Sequence, residues 1–284
     1  MKFSYHEGEL AVQKLANASD QANKSANSVL DYFPRSASDF LLRLTFIIAA
    51  TLDERHRAWA SLLSGPEGFI SVADERTVHI RPPVRDGDTL QQHLLAHDAI
   101  GLLAIEPSSR RRMRINGTVL DKLPEIVVFA EQIYTNCPKY IRNRVPLYEM
   151  SPKGTTITSE LNETYNEWIA SADTFYIASA SRDNKPDVSH RGGPPSFVKV
   201  LDEKTLIFPD YSGNSMFNTL GNIHENPTCG LLFIDYAKGD TLQLTGLAEI
   251  IWESSMMSEF PDAKRLVKFR LSIAVHRFDA QKGG

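Results

Sequence analysis

Five consecutive residues, Ser189-His190-Arg191-Gly192-Gly193, bring together a hydroxyl, an imidazole, a guanidinium and two unencumbered backbone units. Cations, hydroxyls and free backbone N–H groups are what a phosphate-like anion requires. The competing reading is a polar strand end with a bulge at the paired glycines. Asn214, Ser215, Asn218 and Thr219 stand where a helix should open. Asn and Ser there cap the helix, and a helix start also suits a phosphate. Gln243 and Thr245 alternate with Leu242 and Leu244. Period two puts both polar side chains on one strand face, turned either to solvent or to a ligand. The run Arg110-Arg111-Arg112-Met113-Arg114 reads as a solvated loop or, through Arg112 and Arg114, as two cations on one strand face.

Other candidates are weaker. Cys137 lies beside Lys139 in Asn136-Cys137-Pro138-Lys139-Tyr140, but no His or Asp partner is readable for a reactive thiol. An ordered turn is the simpler reading. His93 and His97 share a helix face without HExxH or a third ligand, so no metal is expected. Trp59 and Ser61 match the position of the Ser189 strand, where packing is the expected role of the tryptophan. The chain has no Walker loop, no GxGxxG after a strand and no GxSxG, which excludes ATPase, Rossmann dehydrogenase and serine hydrolase classes.

These residues must be held by a chain of 284 residues, enough for about two domains. It is 42% hydrophobic and 23% charged, ordinary for a globular protein. Thirty-one basic against 35 acidic residues give a net charge of −4, and the pI is near 6.1. Neither nucleic acid nor an anionic membrane is an expected partner. Two cysteines, Cys137 and Cys229, do not make a disulfide scaffold, and both are expected to be free thiols. The start MKFSYHEGEL lacks the apolar core of a signal peptide. No apolar run approaches the roughly 18–20 residues that span a bilayer. A cytoplasmic location is expected.

The chain matches itself in order at an offset of 128–129 residues. Phe46 falls on Phe175 and Ala49 on Ala178; then Ser61 falls on Ser189 and Gly65-Pro66 on Gly193-Pro194. Further on, Gly101-Leu102-Leu103 meets Gly230-Leu231-Leu232, and Gly117 meets Gly246. A period this long means two copies of a domain rather than a solenoid. Each copy reads as short strands rich in β-branched and aromatic residues (FIIAAT and FYIASA first), with one inserted helix before IGLLAIE or CGLLFID. Each closes on a strand centred on glycine, MRINGTV or LQLTGLAEI. The expected fold is mainly β with α, two tandem split β-barrels packed as a pseudo-dimer. The first domain is expected over 1–148 with a helical N-terminal extension, the second over 149–284. Pro146, Pro152 and Gly154 mark the boundary, and Glu160–Ser171 reads as the helix entering the second barrel.

The second copy, roughly residues 170–252, resembles the pyridoxamine 5′-phosphate oxidase-like family of FMN-binding split barrels. The residues that carry this are DTFYIASASRDNKPDVSHRGGPPSFVKV, TLIFPDYSGNSMFNTLGNIHENPTCGLLFID and LQLTGLAEI. YHEGEL, WASLLSGPEGF and NCPKYI are similar to pieces of a two-barrel subgroup. In that subgroup a ferredoxin-reductase-like module often follows.

The resemblance implies FMN in a groove between barrels and a flavin-dependent oxidoreductase acting on a small molecule. The alternatives are a non-catalytic flavin or small-molecule binding module that serves a separate reductase, or a haem-binding or haem-degrading relative. It implies cofactor contacts at Ser189, His190, Arg191, Gly192, Asn214, Ser215, Asn218, Thr219, Gln243 and Thr245, with Arg112 and Arg114 facing from the first barrel. Phe217, Asn218 and Thr219 stand where family members carry Ser, Arg and Lys, which removes charge from the phosphate cradle. The C-terminal FRLSIAVHRFDAQKGG has no recognisable Arg, Trp, Arg cluster, which argues against pyridoxamine phosphate oxidase activity itself. One occupied groove per chain is expected. Its phosphate should lie near Arg191, Asn218 and Thr219, and its ring towards Gln243. The chain is expected as a monomeric pseudo-dimer or a homodimer.

Overall fold

A computed structural model describes residues 3–81, 89–135, 139–144 and 154–278. Three helices come first: α1 (Glu7–Leu15), α2 (Ser19–Ala26) and α3 (Arg35–Leu42). The first barrel follows as β1 (Phe46–Leu52), β2 (Ala58–Ser64), β3 (Ile70–Val72), β4 (Thr77–Ile80), α4 (Thr89–Ala96), β5 (Ala99–Glu106), β6 (Arg111–Asp121) and β7 (Ile126–Thr135). Then come β8 (Gly154–Thr158) and α5 (Glu163–Ser171). The second barrel is β9 (Thr174–Ala180), β10 (Pro186–Gly192), β11 (Lys199–Asp202), β12 (Thr205–Asp210), α6 (Asn218–Glu225), β13 (Thr228–Ile234), β14 (Thr241–Ile251) and β15 (Arg265–Phe278).

The two antiparallel sheets have the same strand order, β2-β1-β5-β6-β7-β4-β3 and β10-β9-β13-β14-β15-β12-β11. Even the irregularities agree: the ladder slips at Asn116/Gly117 in β6 and at Thr245/Gly246 in β14. The fold is mainly β with helices, two tandem split-barrel-like sheets. Two parts of the sequence reading need correction. Gly154–Thr158, read from the sequence only as the end of the stretch that holds the domain boundary, is a strand paired to β15. The glycine-centred strands do not close their barrels, because the long strands β7 and β15 pair with them and carry the sheets on to β4 and β12.

Each barrel encloses its own apolar core, and a third cluster joins them. In β1, Ile47 and Ala49 point into the first barrel, whereas Phe46, Ile48, Ala50 and Leu52 point to the junction. In β9, Phe175 and Ile177 point into the second barrel, and Tyr176, Ala178 and Ala180 meet the junction. Strands buried on both faces read as continuous apolar runs, as these do. The ladders also correct the matching of the two copies. Ala50 pairs with Gly101 as Ala178 pairs with Gly230, so the offset at β1 is 128 and Ile47, not Phe46, corresponds to Phe175. A slip of one residue would exchange core and junction faces.

The barrels approach backbone to backbone where β5 and β13 cross the neighbouring barrel. A Cβ on Gly101 would lie 2.6 Å from Pro186 O, and one on Gly230 would lie 2.5 Å from Ala58 O. Only glycine admits that contact. The result is two seams at equivalent places: one where β6 of the first barrel faces β10 of the second, the other where β14 faces β2.

The N-terminal extension, assigned by sequence to the first domain, crosses to the second barrel. Val12 of α1 is fully buried in the second core, and the Gln13 amide donates to Met216 O at 3.1 Å.

Candidate functional site

The seam between β6 and β10 carries a buried network of ionisable groups. Period two on β10 aims Asp187, Ser189 and Arg191 the same way. Arg114, buried on β6, sends Nη1 to Asp187 Oδ2 at 3.0 Å, Asn218 Oδ1 at 3.0 Å and Tyr134 Oη at 3.2 Å. Its Nη2 donates to Ser189 Oγ, which also meets Thr219 Oγ1 at 2.8 Å. Burial opposes charge on Arg114, but Asp187, Tyr134 and Glu9 carry its pKa above the ordinary value. Burial also raises the Tyr134 phenol, with Asp187 adding to the shift.

Beside this network lies a cavity of about 270 Å³. Arg114, Ser189, Arg191, Asp210, Asn218, Thr219, Lys264 and Arg265 line it, closed by the loop from Tyr211 to Phe217. Asp210 stands 3.9 Å from Arg191 and 3.3 Å from Arg265. Burial pushes the Asp210 carboxyl up while the two guanidiniums pull it down, and burial lowers Arg191. Arg265 stacks over Phe217 at 4.9 Å and Trp252 at 5.0 Å. Its Nη1 is buried with no hydrogen-bond acceptor. Four cationic side chains, Lys264 among them exposed, thus stand against two carboxylates, the lining Asp210 and the neighbouring Asp187. A buried donor without an acceptor is costly, and an anion would satisfy it. Ser215 and Phe217 adopt positive φ of 61° and 62°, which swings the chain so that α6 begins against the cavity. Loop backbone held in that region at a ligand-sized space is a recurrent sign of a binding site.

The structure therefore gathers Arg114, Ser189, Arg191, Asn214, Ser215, Asn218 and Thr219 around one space. Other expected residues lie elsewhere. His190 alternates away from the cavity and packs against Tyr176, ring centroids 5.8 Å apart. Burial first, then Arg112 and Arg191, lower its pKa to about 3. Arg112 accompanies His190 and Tyr176 rather than the cavity. Gly192 receives the segment after β7: a Cβ there would meet Tyr140 O at 2.5 Å. Gln243 and Thr245 sit on the opposite seam. Gln243 donates to Ala60 O at 2.8 Å and Ser61 Oγ at 3.0 Å, and Thr245 to Ala58 O at 2.9 Å. Their polar atoms are committed to the facing barrel, so the expected open groove at Gln243 is instead packed contact.

Tyr140 stacks on Tyr211 at 5.3 Å, and Ile141 is buried at the junction, so Lys139–Arg144 packs between barrels. Asn136 and Cys137 lie outside the described residues. Cys229 is a free, buried thiol whose pKa burial pushes up. His93 Nδ1 meets Thr51 Oγ1 at 3.0 Å, and His97 Nε2 meets Asp53 O at 3.1 Å.

Sequence reasoning missed Asp187, Asp210, Lys264, Arg265, Tyr134 and Glu9. Asp187 was within reach, because it shares the alternation of Ser189 and Arg191. Arg265 and Tyr134 lie on β15 and β7, whose pairing is long-range. Glu9 belongs to α1, and nothing local in YHEGEL announces that it docks more than two hundred residues away.

Pyridoxamine 5′-phosphate oxidase is the family that matches, over residues 161–274. The match covers most of the second barrel, and the likeness to that family is carried by those residues. No curated protein matches the chain. Among solved structures, an oxidase-like family protein of Lactobacillus delbrueckii is 20% identical, covering 42% of this chain and 94% of its own, with a TM-score of 0.34. HupZ of Group A Streptococcus is 16% identical over 40% of this chain and 92% of its own, TM-score 0.33. HutZ of Vibrio cholerae, described as a haem storage protein, is 15% identical over 40% and 92%, TM-score 0.30. Most of the residues lining the 270 Å³ cavity belong to the matched segment, whereas Arg114 and Tyr134 come from outside it. Among the described residues no helix is long and apolar enough to cross a membrane.

Proposed function

We propose that the chain binds FMN with its phosphate in the Arg114–Arg191–Arg265 cavity and acts as a flavin-dependent oxidoreductase on a small molecule. The observation that carries this reading is the excess of cations over carboxylates around that cavity, with the buried Arg265 Nη1 lacking an acceptor. A phosphate near two negative charges matches the excess and accepts from all three guanidiniums. Ser189 and Thr219 add hydroxyls, and the start of α6 adds backbone N–H groups. When bound, a flavin supplies the electron transfer; the protein binds, orients and shields it. A second cavity, of about 220 Å³, shares Asn218 with the first and is walled by Glu9, Asn116 and Asp187. It is the space proposed for the small-molecule substrate.

The test is the purified protein's absorption spectrum, followed by FMN titration of the apo-protein monitored by flavin fluorescence. Flavin bands or saturable quenching are expected. A Soret band without flavin uptake would transfer the reading to the haem-binding relatives, and FMN binding without turnover of any reductant would leave a binding module. One charge-assisted contact is worth roughly 1.5–3 kcal/mol. Arg191→Ala should therefore weaken FMN binding about ten- to a hundredfold.

A further inference from the structure

Helix α1 reaches the charged seam through a glycine-to-glycine crossing. A Cβ on Gly8 would lie 2.3 Å from Gly221 O, and one on Gly221 would lie 2.6 Å from Glu9 N. Backbones this close admit no side chain at either position, so α1 has one seat on α6. His6 caps α1, and its N–H donates the return bond to Glu9 Oε2 at 3.0 Å. Gly8 N donates to Glu225 Oε1 at 2.8 Å, and His6 Nδ1 lies 3.2 Å from Glu225 Oε2. The product of this docking is a carboxyl, Glu9, 4% exposed, delivered to the wall of the second cavity beside Asn218.

Glu9 communicates with the anion cavity through one side chain. Asn218 Nδ2 donates to Glu9 Oε1 at 2.6 Å, and Asn218 Oδ1 accepts from Arg114 Nη1 at 3.0 Å. Asn218 itself lines both cavities. An ionised Glu9 would add negative charge beside Arg114, which already faces Asp187, and would oppose an incoming anion. A protonated Glu9 would not.

We propose that Glu9 is a positioning residue of the anion site, and that tight anion binding requires it to hold a proton. This deepens the flavin reading, because the anion in question is the phosphate of the proposed cofactor. The groups facing Glu9 are Tyr5 and His6 from its own segment, Arg114 on β6, Tyr134 on β7, Asp187 on β10, and Asn218 and Glu225 on α6. Burial raises its pKa to about 7, Asp187 adds to the rise, and the bonds from His6 and Asn218 with the charge of Arg114 lower it. The carboxyl thus titrates where a small change in pH alters its charge. Anion binding would draw the proton on more firmly, so binding takes up a proton from solution near neutral pH.

Inorganic sulfate is the probe, since it stays dianionic from pH 5.5 to 8.5 and any pH dependence belongs to the protein. Calorimetric titration of the wild type should show affinity falling about tenfold from pH 6 to pH 8. It should also show proton uptake, read as a heat that varies with the ionisation enthalpy of the buffer. Glu9→Gln keeps the acceptor for Asn218 and removes the charge; it should bind sulfate equally well at both pH values, as tightly as the wild type at pH 6. A pH slope that persists in Glu9→Gln, or wild-type binding that is flat with pH and free of proton uptake, would overturn the assignment. Failure of sulfate and FMN to bind at any pH would instead remove the flavin reading on which it rests.

Discussion

At one seam Arg114 of β6 reaches across to Asp187 and Ser189 of β10. At the same ladder position of the second barrel stands Gln243, which reaches across to Ala60 and Ser61 of β2. The correspondence is set by registers: Arg114 pairs with Leu103 as Gln243 pairs with Leu232. Trp59 likewise takes the place of Asp187, since each faces its β1 or β9 partner at Thr51 or Ser179. The indole of Trp59 donates to Asp53 at 3.0 Å within its own barrel, so nothing there demands a cation from across the seam. One backbone frame thus carries a charged junction and a neutral one. A symmetric two-fold interface must repeat each substitution on both sides, whereas two linked copies are free to differ.

The contrast can be broken hardest at Arg114. Arg114→Ala leaves Asp187 buried beside Tyr134 without its cation, a loss expected to cost about 3–5 kcal/mol. Urea unfolding measures it, and Arg114→Ala combined with Asp187→Ala should recover part of the loss. An unchanged midpoint in the single variant would mean that the pair is not buried as described.

Gly230→Val tests what the seams share. Its side chain would meet Ala58 O and the Trp59 backbone, and overpacking of that kind costs about 1–3 kcal/mol. Gly101→Val should behave alike in thermal unfolding. Only Gly101→Val, whose side chain would press on Pro186 and Asp187, should also disturb FMN affinity.

Gln243→Ala removes two buried hydrogen bonds and leaves two acceptors unsatisfied. A loss of about 1–3 kcal/mol is expected in chemical denaturation, with FMN affinity unchanged. Lost affinity would place the cofactor at the neutral seam.

His190 tests the same frame through pH rather than through a substitution. Its folded pKa of about 3 lies below the ordinary 6.5, so the unfolded chain binds the proton first as pH falls. Its contribution to stability is complete above pH 6.5 and declines from there towards pH 3, by roughly 1.4 kcal/mol per unit. The imidazole NMR signals of His190 should stay those of the neutral ring from pH 8 to pH 5.

Much of this was readable from residue order. Short strands around one inserted helix announced barrels twice, because alternation and turn chemistry are local. That Ser189, Arg191, Asn218 and Thr219 form one polar set was legible for the same reason, their types being clustered in two short stretches. Their convergence with Arg114 was an expectation drawn from family resemblance, and the ladders place it. Gln243 was misread because period two reveals that a face is polar without revealing what it meets. Here it meets backbone carbonyls, which no sequence pattern marks. Phe46 was paired with Phe175 because identical letters attracted the match, while the registers put Ile47 there. Arg265 and Glu9 were invisible, since each reaches the site through contacts distant in sequence.

Both walls of the charged seam belong to one polypeptide. The facing barrel is therefore present at an effective concentration set by the connecting segment rather than by how much protein is in solution. The seam's affinity for its anion should stay the same from micromolar stocks down to trace amounts of protein. A pocket shared between separate subunits would instead come apart on dilution.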